Sequence, residues 1–379
     1  MPNPRCEAIS SFLVMDILER ACALEREGKD IIHLQIGEPD FDTPEPVKEA
    51  AAKAVRDGHT HYTHSLGLPV LRESICAYYE RTYGVNVHPD QILLTPGTSP
   101  AMLLTFSALI HPGDEVLLAN PHYACYPNFI TYAGGRVRRA DTRAEDGFQF
   151  TPASLAPCLA DSPRAVVLNS PANPAGTVIP EADLKAICET GTLLVSDEIY
   201  HGLTYEGRAA SALEFTDNCF VLNGFSKLWA MTGWRLGWVI SPRKYMPALQ
   251  RLQQNFFISA SSVAQWAGIA ALEQCGEHVA AMVAEYGRRR RVMLDGLAKL
   301  GLKAPVEPTG AFYVLADARH IGQDSLALAR DILEKAHVGV TPGIDFGPGA
   351  EGYLRFSYAN SVENIEEGLS RLGRYLDNR

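Results

Sequence analysis

Asn223-Gly224-Phe225-Ser226-Lys227-Leu228-Trp229-Ala230-Met231-Thr232-Gly233-Trp234-Arg235-Leu236-Gly237-Trp238 carries one lysine in a short turn between two strand-like runs, Cys219–Leu222 and Arg235–Ser241. Most loop lysines are simply solvated. This one has Phe225, Leu228, Trp229, Met231 and Trp234 around it, a setting too apolar for an ordinary surface loop. Ser226 precedes the lysine and Arg235 follows it, so an amine stands near two anion donors at the end of a strand. That combination suits a carbonyl cofactor carrying a phosphate. Lys227 would hold the aldehyde as a Schiff base while Ser226 and Arg235 help hold the phosphate.

Other strand ends also carry chemistry. Gln91–Thr95 reads as a strand broken by Pro96-Gly97, and Thr98-Ser99-Pro100-Ala101 opens a helix running to about Leu109. A small-residue turn at a helix start aims free N–H groups and the positive dipole end at an anion. A Thr or Ser there can equally be no more than a cap. Glu115–Ala119 is the next strand and ends at Asn120-Pro121-His122-Tyr123, where Tyr123 taken alone reads as core or rim. Arg164–Asn169 leads into Ser170-Pro171-Ala172-Asn173-Pro174-Ala175-Gly176.

In Thr192–Tyr200 a buried-type strand ends in Asp197, which is unfavourable unless a cation meets it. Gly97, Asn173, Asp197 and Lys227 therefore all follow strands. The β-α-β order throughout predicts an α/β fold with a mostly parallel sheet and ligands at the strands' carboxyl ends. Farther on, Tyr353–Tyr358 sets Arg355 among apolar neighbours. Such an arginine needs an anion, which is either a ligand carboxylate in two-bond geometry or an internal salt bridge.

The lysine stretch, Asn173-Pro174-Ala175-Gly176, Gly37-Glu38-Pro39-Asp40-Phe41 and the Tyr62-to-Gly67 element together resemble fold-type-I pyridoxal-phosphate aminotransferases of class I/II, of the aspartate aminotransferase-like kind. The likeness runs from Gly37 to Arg355. Ala172 and Ala175 depart from it, standing where many members have Asn and Thr. The resemblance implies pyridoxal 5′-phosphate as cofactor, a large mixed-sheet domain over residues 41–275, and a smaller α+β domain built from 1–40 and 276–379.

It also implies roles for individual residues. Gly97, Thr98 and Ser99 would donate to the phosphate, and Tyr123 would stack on the pyridine ring. Asn173 would donate to the phenolic oxygen and the substrate carboxylate. Asp197 would hold the ring-nitrogen proton, with Tyr200 near the phenolic oxygen. Gly37 would lie beside the substrate carboxylate that Arg355 binds. Tyr62 would reach the phosphate of a neighbouring subunit, making the enzyme at least a homodimer.

The implied activity is ping-pong transfer of an amino group from an L-amino acid to a 2-oxo acid, with Lys227, Asp197 and Tyr200 as the catalytic residues. Some aspartate-using members bind the distal carboxylate with a lysine and a serine where this chain has Ser99 and Phe12. The expected donor is therefore not strictly aspartate but apolar or alanine-like, with 2-oxoglutarate or pyruvate accepting. A carbon–sulfur β-lyase would share the same residues, and a ligand-sensing regulatory domain is a third reading.

Composition bounds the rest. The chain has 379 residues, 46% hydrophobic and 21% charged, which is ordinary for a globular protein of this size. A net charge of −10 argues against binding driven by nucleic-acid phosphates. Phe12–Leu18 is broken by Asp16 and too short to span a membrane. The eight cysteines form no Cys-x-x-Cys and read as reduced thiols, so a cytoplasmic location is expected.

His59, His61 and His64 lack metal-ligand spacing, and no metal is expected. Gly347-Pro348-Gly349-Ala350-Glu351-Gly352 matches a dinucleotide fingerprint but precedes a strand, so no nicotinamide site is expected. Arg288–Arg291, in a helix, read as a solvated face.

Overall fold

The structure is a computed structural model that describes residues 3–378. At its centre is a seven-stranded sheet. Its spatial order is Ile92–Thr95, Gly237–Ile240, Cys219–Gly224, Leu194–Asp197, Ala165–Asn169, Glu115–Asn120 and Arg136–Asp141. Ile92–Thr95, Leu194–Asp197, Cys219–Gly224 and Gly237–Ile240 are buried along their whole length. That is why they appear in the sequence as unbroken apolar runs rather than alternating ones.

Two expectations need correction here. Gly237–Ile240 runs antiparallel to both its neighbours, so the connection is not β-α-β throughout. Between Cys219–Gly224 and this strand the chain forms only the short 3-10 turn Thr232–Trp234, with no crossover helix to carry it across the sheet in parallel. Arg235 also falls outside the strand. It adopts a left-handed conformation at φ 52° just before the antiparallel strand.

The helical run beyond Lys244 is divided into Met246–Phe256, Ser262–Gln274 and Gly276–Lys299. Within the last helix the solvated-face expectation holds for Arg288 but fails for Arg289 and Arg290, which are only 6% and 5% exposed. Arg289 pairs with Asp40 at 2.6 Å and Glu285 at 2.9 Å, and Arg290 with Glu307 at 2.7 Å. Glu285 is one helical turn away, but Asp40 and Glu307 come from remote loops, which a helical wheel cannot reveal.

A second sheet pairs Thr341–Pro342, Tyr353–Ser357 and Tyr313–Asp317 in antiparallel order. The two ends of the chain meet here. Ile32–His33 pairs in parallel with Val338–Gly339, and Ser357 N–H donates to Leu34 O at 2.7 Å. Among the described residues no helix is long and apolar enough to cross a membrane, and no cluster of His, Cys, Asp and Glu is placed to hold a metal.

Candidate active site

The carboxyl ends of the central strands open on a cavity of about 320 Å³. Gly37, Thr98, Ser99, Tyr123, Asn173, Asp197, Tyr200, Ser226, Lys227, Arg235 and Arg355 all line it. Gly97 is not among the lining residues, but it packs against Arg235, which is. Tyr62 does not reach it and stands 80% exposed on the surface of the single chain.

Lys227 leaves the turn after Cys219–Gly224, where its chain neighbours Phe225, Leu228 and Trp229 are buried. Its Nζ donates to Gly37 O at 2.5 Å. Burial pushes the amine down to about 8; the Glu38 carboxylate opposes this, while the positive charges of Arg355 and Arg235 add to it. A substantial neutral fraction at mildly alkaline pH makes this amine a usable nucleophile and base.

Asp197 ends its strand 3% exposed. Tyr126 Oη donates to its Oδ2 at 2.7 Å and Ile199 N–H to its Oδ1 at 3.2 Å. Burial raises the carboxyl to about 6, although these donors and Lys227 pull the other way. No Lys, Arg or His forms an ion pair with it among the described residues, so it can accept a cationic hydrogen-bond donor from a ligand. Neighbouring strands bring Asn169 level with Asp197, and Asn169 ties two strand ends together. Its Nδ2 donates to Asp197 O at 3.1 Å and its Oδ1 accepts from Asn173 N at 2.8 Å.

The anion cup forms where Gly97, at φ 98°, starts the helix Thr98–Leu109. No side chain caps this helix, so its first N–H groups face outward with the dipole's positive end. A Cβ on Gly97 would lie 2.5 Å from Arg235 Nη2, so glycine is what admits the guanidinium to the cup. Arg235 is steadied by donating to Thr232 O at 2.8 Å.

Opposite the cup, Arg355 donates through Nη1 to Asn173 Oδ1 at 2.8 Å, and through Nη2 to Gln35 O at 2.6 Å and Thr341 Oγ1 at 3.1 Å. It lies 4.3 Å from the Tyr313 ring centroid. Its buried Nε has no partner, and no carboxylate pairs with it among the described residues. The internal salt bridge left open by the sequence is therefore not present in the described chain.

Three supporting residues escaped sequence reasoning. Tyr126 holds Asp197, and the only local signal was its position three residues after Tyr123, where a helix start sets the two rings edge to face at 5.3 Å. Tyr313 Oη meets Tyr200 Oη at 2.7 Å and passes so close to Gly37 that a Cβ there would lie 2.0 Å from it. Asn169 was visible only as the last residue of a strand.

The residues present fit pyridoxal phosphate. The cup at Gly97 would fill with a Cβ, Arg355 Nε is orphaned, and Asp197 is a buried acid with room for a cationic donor. An amine made less basic by burial, with an uncapped helix start on one side and a guanidinium without a carboxylate partner on the other, can condense with a carbonyl and accept a carboxylate beside it. Fold and cavity thus define an enzyme of amine–carbonyl chemistry.

The sequence carries this further. The aminotransferase class I and II profile matches residues 29–372, and the chain belongs to that family. It is 43% identical to a (5-formylfuran-3-yl)methyl phosphate transaminase of Methanocaldococcus jannaschii, with all of both chains covered. It is 39% identical to a valine–pyruvate aminotransferase of Mycobacterium tuberculosis over 97% of each chain. Aspartate aminotransferase of Thermus thermophilus, solved with maleate, superposes with a TM-score of 0.94 at 38% identity, covering 99% of each. The protein is an aminotransferase and an enzyme.

Proposed function

We propose that this aminotransferase uses pyridoxal 5′-phosphate to move an amino group from an L-amino acid with an apolar side chain to a 2-oxo acid. The observation that carries the donor class is the cavity wall of Phe12, Val14, Met15, Leu18 and Ile36. The cationic side chains that line the cavity are Lys227, Arg235 and Arg355, each with a role already, while Glu38 is acidic. A second substrate carboxylate would lose hydration against that wall without gaining a partner. The likeness to a valine–pyruvate aminotransferase supports the same choice.

When bound, the cofactor supplies a protonated ring that draws off the negative charge left at Cα. Gly97, Thr98, Ser99, Ser226 and Arg235 would hold its phosphate, and Tyr123 would cover its ring. Asp197 would keep the ring-nitrogen proton, and Asn173 and Tyr200 would donate to the phenolic oxygen. Arg355, with Asn173 beside it and Gly37 at its edge, binds the substrate α-carboxylate in two-bond geometry. Lys227 Nζ takes the proton from Cα and returns it when the direction reverses. One carboxylate site serves donor and acceptor, so the oxo product leaves before the acceptor enters, giving ping-pong order.

The active form is a homodimer in which Tyr62 donates to the partner's phosphate. Tyr62 suits that role because its backbone neighbourhood is pinned while its ring is bare. Ser262 Oγ donates to His59 O at 2.9 Å and Gln265 Nε2 to Thr63 Oγ1 at 3.0 Å.

The deciding experiment mixes the cofactor-loaded enzyme with single amino acids, without oxo acid, and follows the cofactor's visible band. Valine, leucine and phenylalanine should bleach it faster than aspartate does. Faster reaction with aspartate overturns the donor class. Release of pyruvate and ammonia with the band intact overturns transamination.

A further inference from the structure

The helix Leu13–Arg26 supplies Val14, Met15 and Leu18 to the cavity wall, and Phe12 just before it supplies a fourth side chain. Phe12 occupies the N-cap position, where Ser, Thr, Asp or Asn would ordinarily accept from the first free N–H groups. Its ring is used otherwise, packing edge to face on Tyr123 at 6.1 Å. The missing cap comes from far along the chain. Asp345 Oδ1 accepts from Leu13 N at 3.0 Å and Asp345 Oδ2 from Val14 N at 3.2 Å, across 332 and 331 residues.

Asp345 sits on a tightly held turn, Gly343–Phe346. Ile344 N donates to Ser325 Oγ at 3.1 Å, and a Cβ on Gly343 would fall 1.9 Å from Ala350 O, so the turn has no room to relax. The next residue, Phe346, lies with its ring centroid 5.0 Å from the Arg355 guanidinium, and its carbonyl accepts from His122 N at 3.0 Å. Asn120 Oδ1 accepts from Gly349 N at 2.8 Å. One short turn therefore touches both the carboxylate-binding arginine and the helix that faces the substrate side chain.

We propose that Asp345 is a positioning residue for donor specificity: by capping the helix Leu13–Arg26 from the Gly343–Phe346 turn, it holds the apolar wall at a fixed distance from Arg355. The substrate's two ends are then gauged by one rigid piece. A donor must fill the space between its carboxylate at Arg355 and the side chains of Val14, Met15 and Leu18. This rests on the apolar-donor reading given above.

The test compares holoenzyme with Asp345→Ala and Asp345→Asn, the latter keeping one acceptor oxygen and nearly the same shape. KM and kcat are measured for leucine and for alanine, together with hydrogen exchange at Leu13 and Val14. Loss of a cap of this kind should raise the leucine KM about tenfold in Asp345→Ala, with alanine changed less than about twofold. Asp345→Asn should fall between, kcat should change little, and exchange should accelerate in step. Equal effects on leucine and alanine, or unchanged exchange, overturn the proposal. A wild-type enzyme that prefers aspartate to both leucine and alanine refutes the donor reading, and the proposal with it. A leucine preference that both variants retain refutes the role of Asp345 alone.

Discussion

Arg355 donates through Nη1 to Asn173 Oδ1 at 2.8 Å, joining the strand Tyr353–Ser357 of the smaller sheet to a loop of the larger sheet 182 residues away. A buried guanidinium that meets an amide and two neutral oxygens, but no carboxylate, keeps its charge uncompensated until a ligand brings one.

Arg355→Lys should therefore damage both half-reactions together. A lysine keeps the charge but loses the planar fork, and kcat/KM for donor and acceptor should each fall about a hundredfold, ~3 kcal/mol. Steady-state kinetics with each substrate varied in turn would check it. Loss confined to one half-reaction would show that the two carboxylates bind in different places.

Lys227→Ala should abolish transamination by many orders of magnitude, because Lys227 is the only lysine lining the cavity among the described residues. The same residue sets a pH dependence. With its amine pushed down to about 8, the neutral fraction grows as pH rises and levels off above that value. Stopped-flow uptake of pyridoxal phosphate by the apoenzyme should accelerate up to about pH 8 and then plateau. Acceleration continuing to pH 10 would contradict the burial argument.

Tyr126→Phe removes the hydroxyl that donates to Asp197 Oδ2. Losing one hydrogen bond to a buried carboxylate should weaken cofactor affinity by about 2 kcal/mol, roughly thirtyfold, with the fold intact. Titrating apoenzyme with cofactor gives the Kd. An unchanged Kd would mean that Asp197 is held by Ile199 N–H and Asn169 alone.

Away from the cavity, Glu198 and His201 lie fully buried, Glu198 Oε2 3.5 Å from His201 Nδ1, with Tyr83 Oη at 2.8 Å from the same nitrogen. Burial raises Glu198 to about 8 and lowers His201 to about 3, so both are neutral across the acid-to-neutral range. A carboxyl raised on folding contributes stability that is full below its unfolded value near 4.5 and lost as pH rises through about 8. Glu198→Gln has no such loss. Its melting temperature relative to wild type should rise steadily from about pH 5 to about pH 8 and level off above it, and parallel curves from pH 5 to 8 would refute the assignment.

Much of this was legible along the chain. Strands buried on both faces leave continuous apolar runs, and Gly97, Asn173, Asp197 and Lys227 sit within a few residues of such runs, so local order alone predicted their convergence. What stayed hidden depends on groups distant in sequence. Tyr126 reaches Asp197 across 71 residues, Tyr200 meets Tyr313 across 113, and Asp345 caps the helix at Leu13 across 332. Arg289 and Arg290 read as solvated because a helix face says nothing of the carboxylates that Asp40 and Glu307 bring to it. Which chemistry stands at the end of each strand is written locally, in hydrophobic period and turn residues. The basicity of Lys227, the lack of a carboxylate at Arg355 and the cap on the helix of the apolar wall arise from burial and long-range hydrogen bonds, which exist only after packing.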